Sequence, residues 1–207
     1  MKLLIATNNR GKVRELRELL RGLPLELVTP QEMGLELEVE EDGQTYAENA
    51  SKKALAFARA SGLLSLADDS GLEVEALGGA PGLHSARYSP KPGAGDADRR
   101  ALLLQTLKDS GVPRPWRAEF HATIAVATPK GRVRLAEGRC PGEIIPEERG
   151  TGGFGYDPIF LLPELGLTMS ELAMEQKNRL SHRARAVLAA RPALEDERRK
   201  MKEESGE

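Results

Sequence analysis

Leu63 to Gly71 reads Leu-Leu-Ser-Leu-Ala-Asp-Asp-Ser-Gly, and no other stretch limits the fold as tightly. A strand covered on both faces reads as a continuous apolar run, and α/β sheets hold their ligands at the carboxyl ends of such strands. The stretch therefore reads as a buried strand that ends, at an open sheet edge, in two carboxylates, a hydroxyl and a glycine. If strand geometry persists through the pair, Asp68 and Asp69 face opposite sides, because successive side chains alternate. One can then face a cation while the other faces backbone amides or a second site. A turn in which Asp and Ser bond their own backbone fits the same residues, so the pair gains meaning only from the rest of the chain.

At 207 residues the chain suits a single domain, 1–207, or a large domain with a small lobe. A content of 40% hydrophobic and 30% charged residues is that of a globular protein with a real core. The net charge of -2 argues against a partner held by general electrostatics, so no nucleic acid is expected. Cys140 is the only cysteine, which excludes an intramolecular disulfide and a cysteine zinc cage. The first strand begins almost at Met1, leaving no room for a signal peptide, and no apolar run approaches the ~20 residues of a membrane span. The expectation is a cytoplasmic protein with no membrane partner.

Lys2 to Ala6 reads as a short buried strand. Thr7-Asn8-Asn9-Arg10-Gly11-Lys12 follows, and Val13, Leu16, Leu19 and Leu20 then recur at helical spacing to about Arg21. Asn8 or Asn9 can cap that helix, whose amides and Lys12 suit phosphate, although the Gly-rich P-loop spacing is absent. Leu25 to Val28 is a second strand, and Glu36, Glu38, Glu40, Glu41 and Asp42 alternate with Leu35, Leu37 and Val39 in an extended segment. Glu40 and Glu41 lie beside the turn at Gly43, where a side chain can reach back into a site. Thr45 and Glu48 form a capping box opening a helix to about Ala60. Asn49 and Lys53, four apart, share one of its faces, while Lys52 is expected in solvent.

Leu72, Val74 and Ala76 alternate with Glu73 and Glu75 as a half-exposed strand, and a loop with Arg87 and Tyr88 runs on to about Gly95. That loop is a candidate substrate cover or subunit contact. Asp96 or Asp98 caps the next helix. Phe120 to Val126 and Val133 to Glu137 form a hairpin, with His121 on a polar surface face and Cys140 buried. Gly150 to Gly155 fits G-x-G-x-x-G, but Tyr156-Asp157-Pro158 and a strand-like run follow where a dinucleotide site needs a helix. What remains is a flexible glycine loop that approaches a flat ligand, with Phe154 and Tyr156 to stack and Asp157 to bond a ring edge. Ser170 to about Ala190 reads as one helix with Leu172, Leu180, Ala184, Val187 and Leu188 inward, carrying Lys177, His182 and Arg183. Beyond Pro192 a charged tail is expected.

Several of these stretches together resemble the inosine/xanthosine triphosphate pyrophosphatases. They are Thr7-Asn8-Asn9-x-x-Lys12-x-x-Glu15, Glu48-Asn49-Ala50, Ala67-Asp68-Asp69-Ser70-Gly71, Gly79-Ala80-Pro81-Gly82 with Ser85 to Tyr88, Gly153 to Pro158, and Lys177-Asn178 with Ser181-His182-Arg183. Asn8 departs from the family's more frequent glycine, and Ala173 from a capping Ser or Thr.

The resemblance implies an α/β, two-lobed homodimer around a long mixed β-sheet with flanking helices, its active site in the cleft between lobes. It implies hydrolysis of deaminated purine nucleoside triphosphates (ITP, dITP, XTP) to monophosphate and pyrophosphate. By the same resemblance Thr7, Asn8, Asn9, Arg10, Gly11 and Lys12 hold the triphosphate, and Asp69 with an acid from Glu40 and Glu41 binds Mg²⁺, with Mn²⁺ as a substitute. Asp69 is the general base, and Asp68 and Lys53 complete the candidate catalytic set. Ser70 contacts substrate, Phe154, Gly155, Tyr156 and Asp157 hold base and ribose, and Lys177, His182 and Arg183 read the 6-oxo edge. A pyrophosphatase for modified pyrimidine nucleotides and a non-catalytic nucleotide-binding protein are the alternatives; a pair of acids facing phosphate argues against the latter.

Overall fold

The computed structural model describes residues 1–205; Gly206 and Glu207 lie outside the described residues. In chain order the strands are β1 (Lys2–Ile5), β2 (Glu26–Val28), β3 (Leu64–Val74), β4 (Pro81–Gly82), β5 (Trp116–Ala127), β6 (Val133–Ile144), β7 (Phe160–Leu162) and β8 (Leu167–Thr168). The helices are α1 (Arg10–Leu19), α2 (Tyr46–Ser61), α3 (Asp96–Asp109), α4 (Met174–Leu180) and α5 (His182–Ser205). The strands form one mixed sheet in the order β2-β1-β3-β5-β6-β7-β8, with β4 paired to β3. β1 runs parallel to both β2 and β3, whereas β4, β7 and β8 pair antiparallel. The α/β class expected from the sequence is the one observed.

The chain divides into two compact units. The first holds Met1–Asp69, Ala122–Gly138 and the chain from Arg183 onward, and the second Ser70–His121 and Arg139–His182. Within the first unit, strand alternation sorts the side chains onto two cores. Leu3, Ile5, Leu64, Leu66, Ile124 and Val126 pack with Leu16 and Leu19 of α1 and Ala186, Val187 and Leu194 of α5. Leu4, Ala6, Ala67, Ala125 and Ala127 pack on the other face with Ala50, Ala54, Phe57 and Ala58 of α2. The sheet here is thus covered on both sides, which is why β1 after Lys2 and the first half of β3 are almost wholly apolar, with Ser65 the one polar residue between Leu64 and Ala67. The second unit has a single core, in which Leu103 and Leu107 of α3 meet Phe120, Ile144, Tyr156, Ile159 and Phe160.

Several sequence expectations are corrected. β3 does not stop at the aspartates but runs eleven residues to Val74, so Asp68 and Asp69 lie in mid-strand. Its parallel partner β1 pairs with it only as far as Leu66, and the chain then leaves for α1. The aspartates therefore occupy a position where one neighbouring strand has ended. His121 is buried rather than on the surface: it lies on β5, flanked by β3 and β6, with Glu73 of β3 3.7 Å from its Nδ1. The helix expected over 170–190 is two helices, broken at Ser181 by an extended backbone with ψ of 154°. α5 then passes through Pro192, and the expected charged tail continues as helix to Ser205. Leu194 and Glu197 are buried, Glu197 by pairing with Arg132 at 2.9 Å. Leu188, expected inward, points out with 64% of its surface exposed.

Candidate active site

Strand alternation at the aspartate pair builds the site in the first unit. Asp68 continues the row of Leu64 and Leu66 and meets the α1 and α5 side, whereas Asp69 continues the row of Ala67 and meets α2. Asp68 is fully buried, and its Oδ2 accepts from Lys12 Nζ at 2.9 Å and from Arg183 Nη2 and Nε at 3.0 and 3.2 Å. Arg183 also donates through Nη1 to Oε2 of Glu15, itself buried. Burial alone would push the Asp68 carboxyl up, but Arg183, Lys12 and Lys53 outweigh it and hold the group well below the ordinary carboxylate range. Lys12 shifts downward, chiefly by desolvation, with Asp68 opposing.

On the α2 side, Lys53 is buried and its Nζ donates to the Asp68 carbonyl at 3.0 Å, pairs with Glu41, and stands 3.8 Å from Asp69 Oδ1. Burial raises the Asp69 carboxyl above its usual range, against Lys53 and Lys12, with Glu41 adding to the rise and a bond from Asn49 opposing it. Asn49 also fixes the turn that carries Glu41, accepting from Gly43 N–H at 2.8 Å. A Cβ at residue 43 would stand 2.7 Å from that same oxygen, so the turn demands glycine. Glu41 therefore faces the cluster, while Glu40 is exposed. The acids at 36 and 38 are likewise exposed, with Leu35, Leu37 and Val39 packed on the core, so the expected alternation holds without a formal strand.

The Thr7 to Lys12 turn follows β1 directly. Asn9, not Asn8, is the N-cap: its side chain accepts from Lys12 N–H at 3.1 Å, and Thr7 Oγ1 accepts from Asn9 N–H at 3.2 Å. No described non-glycine residue has a positive φ, so Asn8 sits in ordinary backbone and the departure from glycine carries no strain. Thr7, Asn8, Arg10 and Arg14 line an open groove of about 1140 Å³ with the segment that carries Glu36 and Glu38. Gly11 occupies the second residue of α1.

In the second unit, Asp157 accepts from Phe154 N–H at 2.9 Å and from Lys177 Nζ at 2.6 Å, and Lys177 lies 5.5 Å from the Phe154 ring centroid. Asp157 and Lys177 are buried, whereas Phe154 and Gly155 are half-buried. Tyr156 is not a stacking platform. It belongs to the apolar core, donates its hydroxyl to the Ser85 carbonyl at 2.9 Å, and burial raises its phenol well above the usual range. The glycine loop approaches its own chain rather than standing open, since Gly152 N–H donates to the Ser170 carbonyl at 3.0 Å. Gly153 has φ of +73°, and a Cβ there would lie 2.0 Å from Asp157 Oδ2 and 3.0 Å from Lys177 Nζ. Gly153→Ala is accordingly expected to break the Asp157–Lys177 pair and raise KM more than it lowers kcat; unchanged steady-state constants would contradict that.

His182 stacks on Phe120 with centroids 4.7 Å apart and rings inclined by 15°. Lys177, His182 and Arg183, expected on one helix, lie on two, and their contacts are with Asp157, Phe120 and Glu15 respectively. Ser70, the first residue of the second unit, is half-buried. Asp96 and Asp98 do not cap α3 in the expected manner: Gly95 is the cap residue and Asp98 accepts its N–H at 2.9 Å. Glu15 belongs to the first of the resembling motifs, but its sequence context assigns it no role. Its one signal is its spacing of three from Lys12, which puts both on one helix face.

These features define an α/β protein in which strand-borne carboxylates are matched against buried lysines and an arginine beside a helix-capping turn. Comparison with known proteins agrees with that class. The Ham1 family model matches residues 3–193, and the chain belongs to the Ham1 family. A dITP/XTP pyrophosphatase of Desulforamulus reducens is 52% identical over 94% of this chain and 96% of its own. One from Thermus thermophilus is 46% identical over 95% of this chain and 93% of its own. Among solved structures, the HAM1 protein of Coxiella burnetii superposes with a TM-score of 0.84 at 38% identity, covering 95% of this chain and 99% of that one. The Staphylococcus aureus Ham1 protein gives 0.81 at 38% identity, with 95% and 100% covered.

Proposed function

We propose that this chain hydrolyses deaminated purine nucleoside triphosphates, ITP, dITP and XTP, to the monophosphate and pyrophosphate, removing them from the nucleotide pool. The relatives named dITP/XTP pyrophosphatase support the reaction, and the single observation that carries the chemistry is the division of labour between Asp68 and Asp69. Asp68, pinned by Lys12 and Arg183, is held as an anion that places two cations. Asp69, with its acidity weakened by burial, is the better proton acceptor of the two.

Water attacks the α-phosphorus and gives its proton to the Asp69 carboxylate, and the bond to the α,β-bridging oxygen breaks, leaving pyrophosphate as the departing group. Lys12 and Lys53 stabilise the charge that develops on the phosphates, and the amides of the Thr7 to Lys12 turn bind them. Asp69 and Glu41 are the residues that would hold a divalent cation. Both are oxygen donors converging on one buried ammonium, the hard-donor set that suits Mg²⁺, or Mn²⁺ in its place. When bound, that cation supplies further charge neutralisation at the phosphates. Among the described residues no group of three or more His, Cys, Asp or Glu is placed to hold a metal ion, so water and substrate oxygens would complete the shell.

For the base, Phe154, Lys177 and Asp157 offer a ring face, a cation and a carboxylate. By family resemblance His182 and Arg183 are the proposed readers of the 6-oxo group, Arg183 through the N–H groups it does not give to Asp68 and Glu15. By family resemblance the proposal extends to a homodimer working in the cytoplasm; no described helix is long and apolar enough to cross a membrane. The test is kcat/KM over ITP, XTP, dITP, GTP, ATP and modified pyrimidine triphosphates, with and without Mg²⁺. Preference for ITP, XTP and dITP by ~10²-fold or more over ATP is expected, the scale set by unpaired polar groups at a mismatched base, with GTP the better of the poor substrates because it keeps the 6-oxo group. A preference for pyrimidine nucleotides would overturn the substrate reading.

A further inference from the structure

Arg100 and Asp96 lie four residues apart on α3 and so share a face. They meet one residue of the glycine turn. Gly155 N–H donates to Asp96 Oδ2 at 2.7 Å, and Arg100 Nη1 donates to the Gly155 carbonyl at 2.8 Å. The plane of the Arg100 guanidinium is fixed in turn by Glu148, whose two oxygens accept from Nε and Nη2 at 2.8 and 2.9 Å. Such a bidentate pair sets orientation as well as energy. Asp96 also pairs with Arg99. Burial works against its ionisation, but the Gly155 N–H and Arg99 prevail and hold the carboxyl below its usual range.

Gly155 has φ of +61° with nothing within 4 Å of the place a Cβ would take, so it is required by its backbone and not by space. It has no side chain to pack, and it can be fixed only through its N–H and carbonyl. Both of these are taken by α3. On either side, Phe154 N–H is held by Asp157 and the Tyr156 hydroxyl by Ser85. The Phe154 ring is thereby left half-buried, with the Lys177 ammonium beside its face.

We propose that Asp96 and Arg100 are positioning residues for base recognition, clamping the Gly155 backbone so that Phe154 and the Lys177–Asp157 pair keep one geometry. This rests on the reading of Phe154 to Asp157 as the base-holding stretch. α3 is anchored separately, by Leu103 and Leu107 in the core, so losing the clamp frees the turn without removing the helix.

The test measures kcat, KM and thermal midpoint with ITP for Asp96→Ala, Arg100→Ala, Asp96→Asn and, in parallel, Phe154→Ala. Each alanine variant on α3 should raise KM by about five-fold, the worth of one net hydrogen bond, with kcat changed by less than about two-fold. Asp96→Asn keeps an oxygen acceptor and should recover most of the wild-type KM. If the α3 variants leave KM unchanged while Phe154→Ala raises it, the clamp is overturned and the base-holding reading stands, even if the thermal midpoint falls. If Phe154→Ala also leaves KM unchanged, the base-holding reading fails and the clamp with it.

Discussion

Asp69→Asn should lower kcat by ~10²-fold or more, the usual scale for losing a general base or a metal ligand. Asparagine matches aspartate in shape, so the substitution leaves β3 and its packing in place. What it removes is the charge facing Lys53 at 3.8 Å and the ability to accept a proton. The neighbouring carboxylate is a poor replacement: Asp68 is fully buried, its Oδ2 is engaged by Lys12 and Arg183, and its acidity is strengthened rather than weakened. Circular dichroism and the thermal midpoint check that the fold survives, and single-turnover kinetics with ITP give the chemical step. Near-normal turnover would move the proton acceptor away from Asp69.

Arg183→Ala should be the most destabilising of these substitutions. Arg183 is 2% exposed and answers two carboxylates, Glu15 and Asp68, that are 1% and 0% exposed. Removing one partner of a buried ion pair leaves uncompensated charge, which costs ~3–5 kcal/mol. The pH dependence has a definite sign. With Arg183 present, the folded-state pKa of Asp68 lies below its unfolded value, so the stabilisation is complete above ~4 and is lost as pH falls toward the folded pKa. The stability gap between wild type and variant, read from urea midpoints, should therefore narrow below ~pH 4. A gap independent of pH would show that the loss is one of packing and not of charge. Asp68→Asn, which keeps shape and an acceptor but removes the titrating charge, should show the same trend. Should Arg183→Ala fold too poorly to measure, that variant carries the test.

The parts of the chain governed by local rules are legible in its sequence. The apolar runs of β1 and β3, the Thr45 cap of α2 and the β5–β6 hairpin each follow from patterns a few residues long. Their spacing puts Asn49 and Lys53 on one face, and both do face Asp69. Whether Glu40 or Glu41 reaches the cluster is open in the sequence, and Gly43 with Asn49 decides it, a contact across a turn that no periodicity encodes. The break at Ser181 has one sequence signal, since serine is a preferred N-cap residue directly before His182, but no glycine or proline flanks it and the apolar spacing runs on through it. His121 and Tyr156 mislead for a related reason. A polar atom in an alternating or loop pattern looks exposed until distant parts of the chain pack beside it, Glu73 at His121 and the α3 core with Ser85 at Tyr156. Glu15, Asp96 and Arg100 act through partners far away in sequence, so helical spacing can mark their faces but not their targets.

The phosphorus product formed from ITP tests most directly whether this carboxylate and lysine cluster cleaves beyond the α-phosphate. In a Mg²⁺-containing reaction followed by phosphorus NMR from the first turnover, the account predicts pyrophosphate and inosine monophosphate in equal amounts, with no orthophosphate preceding them. Orthophosphate and inosine diphosphate as first products would contradict it.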